Sequence, residues 1–165
     1  MRTFNERNSN LITLVGRLLL GGILITAGGL KAFVPAQAAS AVAAYKILPT
    51  QSAHILGYGL PWLEIAIGFL IIIGLSVRMA AVIAGVLMLL FIGAIISVWA
   101  RGLLIDCGCF GGGGTIDPAK AAQFHRNYSL EIARDLGLAI TALYLYFFPY
   151  GLLSIDKAAT TNEEI

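Results

Sequence analysis

Apolar residues along this chain do not alternate with polar ones; they run on. Residues 11–33 read LITLVGRLLLGGILITAGGLKAF, with Arg17 the one charge before Lys31. Residues 55–76, ILGYGLPWLEIAIGFLIIIGLS, are broken by Glu64 and carry a candidate kink at Pro61. Residues 79–100, MAAVIAGVLMLLFIGAIISVWA, hold no charge at all. Residues 129–153 start with Glu131, Arg134 and Asp135 and then become LGLAITALYLYFFPYGLL. A transmembrane helix takes roughly 20 mostly apolar residues, so each stretch predicts one crossing. The prediction is an all-α, four-transmembrane-helix bundle, a single integral membrane domain over residues 1–165 with both termini on one side.

The connections refine that picture. Ser76, Val77 and Arg78 form a short link, which predicts antiparallel packing of the second and third helices. The first long connection contains QAASAVAAYKI between Pro35 and Pro49. Its helix formers and modest polarity predict a short helix lying in the interface plane. Gly21, Gly22, Gly28 and Gly29 predict close approach of a neighbouring helix. Arg2 and Arg7 before the first apolar run, with AQA at 36–38, imitate a secretory signal. The run exceeds a usual signal core, so it reads as a retained helix.

Composition agrees with a bilayer. Charged residues make up 12% of the chain, about half the usual share for a soluble domain, and the mean hydropathy is +0.85. A net charge of +2 with no basic run excludes nucleic acid as a partner; membrane lipid is the partner that composition implies. Charge does not set the orientation. Arg2, Arg7, Arg78 and Lys157 lie on the terminal side, and Lys31, Lys46, Arg101, Lys120 and Arg126 on the other.

The chemistry concentrates in IDCGCFGGGG at 105–114, which holds both cysteines of the chain. Two thiols exclude a four-cysteine zinc site, and an intramolecular disulfide must join Cys107 to Cys109. Such a bridge wants Cα atoms ~4.4–6.8 Å apart, so the backbone must bend at Gly108, which has no Cβ to obstruct it. A ring that small adds little loop-closure stability, and strained or exposed disulfides tend to be labile or catalytic. Redox exchange is therefore favoured over a structural staple. Phe110 can seat the hairpin in the interface, and the glycines behind it let another protein approach closely. Asp106 opposes thiolate formation unless it takes a proton or pairs with Arg101. Passive cysteines, and a soft-metal site using both thiols with Asp106 or His125, are the other readings; no further relay of metal ligands is present, and no metal is assigned. The glycine run lacks the Lys-Ser or Lys-Thr of a phosphate loop. A disulfide-forming pair faces an oxidising compartment, which puts the Cys-Gly-Cys loop on the outer face of the membrane and the termini in the cytoplasm.

The segments GRLLLGGILITAGGLKAFVP, YKILP, LPWLEIAIGFLIIIGL, IDCGCFGG and ARDLGLAI together resemble the methylamine-utilisation protein E (MauE) family, within the DoxX-like four-helix membrane proteins. The resemblance covers about residues 16–145, and CGCFG is its sharpest motif. It implies disulfide formation or redox maturation of exported proteins at the bacterial cytoplasmic membrane, beside a thioredoxin-like or other membrane protein partner, with Cys107 and Cys109 as the catalytic pair.

Ionisable residues inside apolar helices are expensive and are functional candidates. Glu64 falls ~14 Å below the start of its helix at 1.5 Å per residue, near the midplane. Lys31, Arg134 and Asp135 lie between it and the cysteine loop. These four predict a polar cluster with Glu64 paired to Arg134 or Lys31, serving as a helix-pinning ion pair, a proton relay to a thiol, or the seat of a quinone head. No motif demands a cofactor; a quinone is the one such a cluster could hold. Arg17, in the inner half, needs only to snorkel, and Trp62, Trp99, Tyr45, Tyr128 and Tyr150 read as an interfacial aromatic belt. Two functional classes follow. One is a thiol–disulfide oxidoreductase. The other is a non-catalytic membrane subunit or assembly factor of a larger, quinone-linked respiratory complex.

Overall fold

The computed structural model describes residues 2–106, 114–115 and 121–149, with side chains within 10–105 and 127–149. Helix α1 spans Arg2–Ala32, α2 Pro35–Ala44, α3 Thr50–Ile73, α4 Val77–Ala100 and α5 Ala121–Phe147. Two-residue strands β1 (Ile105–Asp106) and β2 (Gly114–Thr115) form an antiparallel ladder between α4 and α5. The fold is all-α: four long helices, with the short α2 in the first long connection. Among the described residues three segments are long and apolar enough to cross a membrane, Asn10–Ala32, Thr50–Ile73 and Val77–Ala100. Only about a third of each is buried in the protein. Outward-facing Leu11, Leu18, Phe69, Met79, Leu89 and Ile140 are all more than 45% exposed. Apolar surface on that scale is covered by lipid, which makes this a multi-pass membrane protein.

Local chemistry sets where the helices stop. Pro35 occupies the first turn of α2, where its missing N–H costs nothing. Helix α3 continues through Pro61 and ends at Gly74, whose φ of 75° is left-handed. Ser76 is left-handed too, with φ 49°. The link is therefore residues 74–76, and α4 begins at Val77, before the expected start at 79. Helix α5 covers 121–147 against the expected 129–153. Proline disfavours helix in the residue before it, and Phe148, before Pro149, is already non-helical.

Antiparallel pairs build the bundle. Helices α1 and α3 cross where Gly21 meets Gly68: a Cβ on either would lie 2.7 Å from the other's carbonyl oxygen. A second contact puts Gly28 against the Pro61 carbonyl, while Gly22 and Gly29 face open space. Two of the four expected glycines thus make the crossing. Helix α5 returns alongside α4, with Tyr128 beside Ile95 and Val98 near one end and Ala142 beside Gly85 further along. Leu20, Leu24, Ile71, Ala84, Leu138 and Leu145 fill the shared core. Gly68→Leu should cost about 1–3 kcal/mol by overpacking this crossing, read as a lower unfolding midpoint in detergent. Gly22→Leu, with nothing within 4 Å, should leave that midpoint almost unmoved.

Candidate functional site

The ladder pairs Ile105 with Thr115 and Asp106 with Gly114. Residues 107–113 connect the paired ends. Cys107, Gly108, Cys109 and Phe110 lie outside the described residues, as does the side chain of Asp106. What the structure does define is the root from which the cysteine segment leaves.

Tyr128 holds that root. Its ring is 2% exposed, packed with Ile95, Val98 and Ile105. The phenol oxygen accepts the Ile105 N–H at 3.0 Å and donates to the Ile105 carbonyl at 2.6 Å, with the Leu103 carbonyl at 3.2 Å as a second acceptor. One hydroxyl thereby satisfies the backbone of an edge residue two positions before Cys107. Arg101 fastens the other side of the same connection. Its guanidinium donates to the Tyr45 carbonyl at 2.5 Å and, through Nε, to the Ser97 carbonyl at 3.0 Å, tying the end of α4 to the end of α2. The belt assignment of Tyr128 is thus corrected: it is buried, and its hydroxyl is committed to backbone. Tyr128→Phe should weaken the root by about 1–3 kcal/mol, since it leaves buried backbone groups unpaired. Faster hydrogen exchange at the Ile105 amide is the readout.

Below the root the structure brings together Lys31, Glu64, Arg134 and Asp135. Lys31 Nζ donates to Glu64 Oε1 at 2.6 Å and sits 5.4 Å from the centre of the Phe91 ring. Lys31, and not Arg134, is therefore the partner of Glu64. Arg134 turns to its sequence neighbour, with Nη2 at 2.7 Å and Nε at 2.9 Å from Asp135 Oδ1. All four border one void of about 20 Å³, with Met88 and Phe91, which is the room of a single water. Glu64 and Asp135 are each 1% exposed. Glu64 Oε2 and Asp135 Oδ2 make no hydrogen bond among the described residues. Two cations and two carboxylates thus share a nearly dry pocket, with spare acceptor capacity on both acids. Among the described residues no group of three His, Cys, Asp or Glu could hold a metal ion.

Arg17 lies outside this cluster and differs from its expected role. It is fully buried, and Nε and Nη2 donate to the carbonyls of Ile71 and Ile72 at 2.8 and 2.7 Å. Sequence reasoning missed both Arg17 and Tyr128. A charge or phenol near a predicted helix end looks the same whether it faces lipid or a neighbouring helix.

The model of the family described as methylamine utilisation protein MauE matches residues 9–148, which takes in every element above except the start of α1. Neither the curated proteins nor the solved structures contain a match.

Proposed function

The chain belongs to the MauE family, and from that premise we propose that it is a thiol–disulfide exchange protein of the bacterial cytoplasmic membrane. Cys107 and Cys109 are its exchanging pair, on the outer face. The work it serves is methylamine utilisation, as the family's description has it, through redox maturation of exported proteins beside a thioredoxin-like partner. The observation that carries this reading is the doubly fastened hairpin root. Pairing of Asp106 with Gly114 brings both ends of the cysteine segment together, and Tyr128 ties Ile105 to α5. Held ends fix where residues 107–113 leave the fold, which suits thiols that another protein must reach.

The exchange balances without an added reagent. A partner thiolate attacks one sulfur of the Cys107–Cys109 disulfide, and the other sulfur leaves as thiolate. The partner's second thiol then displaces the mixed bond. Two electrons and two protons pass from partner to hairpin, or back when the hairpin is the reductant. Glu64, through Lys31 and the water-sized void beside Asp135, is the internal group suited to hold a proton during this traffic. Gly108 supplies the bend, and Phe110 the seat in the interface.

Trapping provides the test. Cells carrying the Cys109→Ser chain should accumulate a reductant-sensitive adduct through Cys107 to a protein with a Cys-x-x-Cys motif, identified by mass spectrometry. If no adduct forms, and a chain lacking both thiols maintains the disulfides of exported proteins as well as wild type while deletion of the chain does not, exchange is excluded. The non-catalytic subunit or assembly factor then stands.

A further inference from the structure

A larger cavity, of about 240 Å³, opens between α2, α3 and α4. Its walls are almost entirely apolar: Ala38, Ala41, Val42, Leu60, Leu87 and Ala94 among others. Its rim includes Ile47, Leu48, Leu56 and Leu90, which are 43–64% exposed on the apolar surface of the bundle. Entry is therefore from lipid. One cation breaks the apolar lining, and it is Lys31.

Lys31 is 5% exposed. An ammonium carries three N–H donors and no acceptor. Glu64 Oε1 takes one of these, and among the described residues the Lys31 ammonium makes no other hydrogen bond. Spare donors on a buried cation are costly to leave unmade in low dielectric. Lys31 borders both the cavity and the charged void beyond it, so a molecule filling the cavity meets this residue. Tyr45 also lines the cavity and packs against the Ile105–Tyr128 cluster at the hairpin root.

We infer that this cavity is a binding site for a membrane-soluble amphiphile whose carbonyl or carboxylate oxygen accepts hydrogen bonds from Lys31, with its apolar body among the alanines and leucines of α2, α3 and α4. Selectivity follows from the walls. A bulky zwitterionic or multiply charged head loses more water than one ammonium replaces, whereas a ring carbonyl loses little and a single carboxylate is offset by the charge of the ammonium. Quinones and free fatty acids share this chemistry.

The full chain in phosphatidylcholine nanodiscs is titrated with tritiated decylubiquinone and, separately, tritiated palmitate, with empty nanodiscs as reference. One of the two should bind saturably at one site per chain, and that one names the source. Ala94→Phe narrows the chamber and Leu90→Trp its mouth; either, provided it runs as a monodisperse species, should weaken binding about tenfold or more. The paired Lys31→Met/Glu64→Leu change removes the donors without orphaning a charge and should weaken binding by a similar factor, as expected for a hydrogen bond to a charged group. A chain with both cysteines changed to serine should bind as wild type, so failure of the thiol reading leaves this site untouched. Uptake of both probes no greater than by empty nanodiscs, or binding indifferent to both cavity-filling variants, would overturn the assignment.

Discussion

Lys31→Met is expected to destabilise the bundle by about 3–5 kcal/mol, the usual cost of removing one partner from a buried ion pair. Glu64 is 1% exposed, and its carboxylate bonds only to Lys31 among the described residues, at 2.6 Å. Its second oxygen is already unpaired. Without the lysine, the nearest countercharge across the void is Arg134, whose guanidinium is committed to Asp135. The carboxylate would then be stranded between α1 and α3. Replacing both partners, in Lys31→Met/Glu64→Leu, removes that penalty along with the bond. The pair variant should recover most of the loss and can equal wild type, since buried ion pairs often gain little over apolar groups of similar volume. Unfolding in mixed micelles of the four species of this cycle measures the coupling directly. Single variants within about 1 kcal/mol of wild type would show that water reaches Glu64.

Arg17→Leu should cost about 2–4 kcal/mol, and the loss should be local to the turn between α3 and α4. The left-handed Gly74 turns the chain so that Gly74 and Leu75 both donate to the Leu70 carbonyl. The carbonyls of the last turn of a helix have no intrahelical N–H to meet them, and Arg17 donates to those of Ile71 and Ile72 from α1. A hydrogen bond to a charged group contributes about 1.5–3 kcal/mol, and two of them are offset in part by relief from burying the cation. Arg17→Lys should fall between leucine and wild type, because an ammonium lacks the planar fork that meets two adjacent carbonyls. Hydrogen exchange at residues 74–77 separates this from a general loosening: those amides should accelerate first. Uniform acceleration across α3 would mean that Arg17 acts through packing alone.

These two residues also mark how far a sequence can be read. The helices were legible because an apolar run of membrane length has few alternatives in water or lipid. The short α2 was legible from its alanines and Pro35. The partner of Glu64 was left between Lys31 and Arg134, since both sit at compatible depth. The close crossing at Gly21 and Gly68 put Lys31 within reach and settled it. Tyr128 and Arg17 were misread for the same reason. A long polar side chain near a helix end can be accommodated at the lipid interface or against a neighbouring helix, so its residue type alone did not say which of these α1 and α5 present.

By itself the sequence determined the medium, the number of long helices, the short one between them and the stretch that carries sulfur, because each depends on transfer of local groups from water. Only the tertiary structure decided which buried charge meets which, that Arg17 caps α3, that Tyr128 holds the hairpin root, and that Lys31 ends an apolar chamber. Those outcomes rest on the rotation and stagger of whole helices, which no local stretch of sequence specifies. Close backbone packing at a few glycines, not polarity, selects among such arrangements.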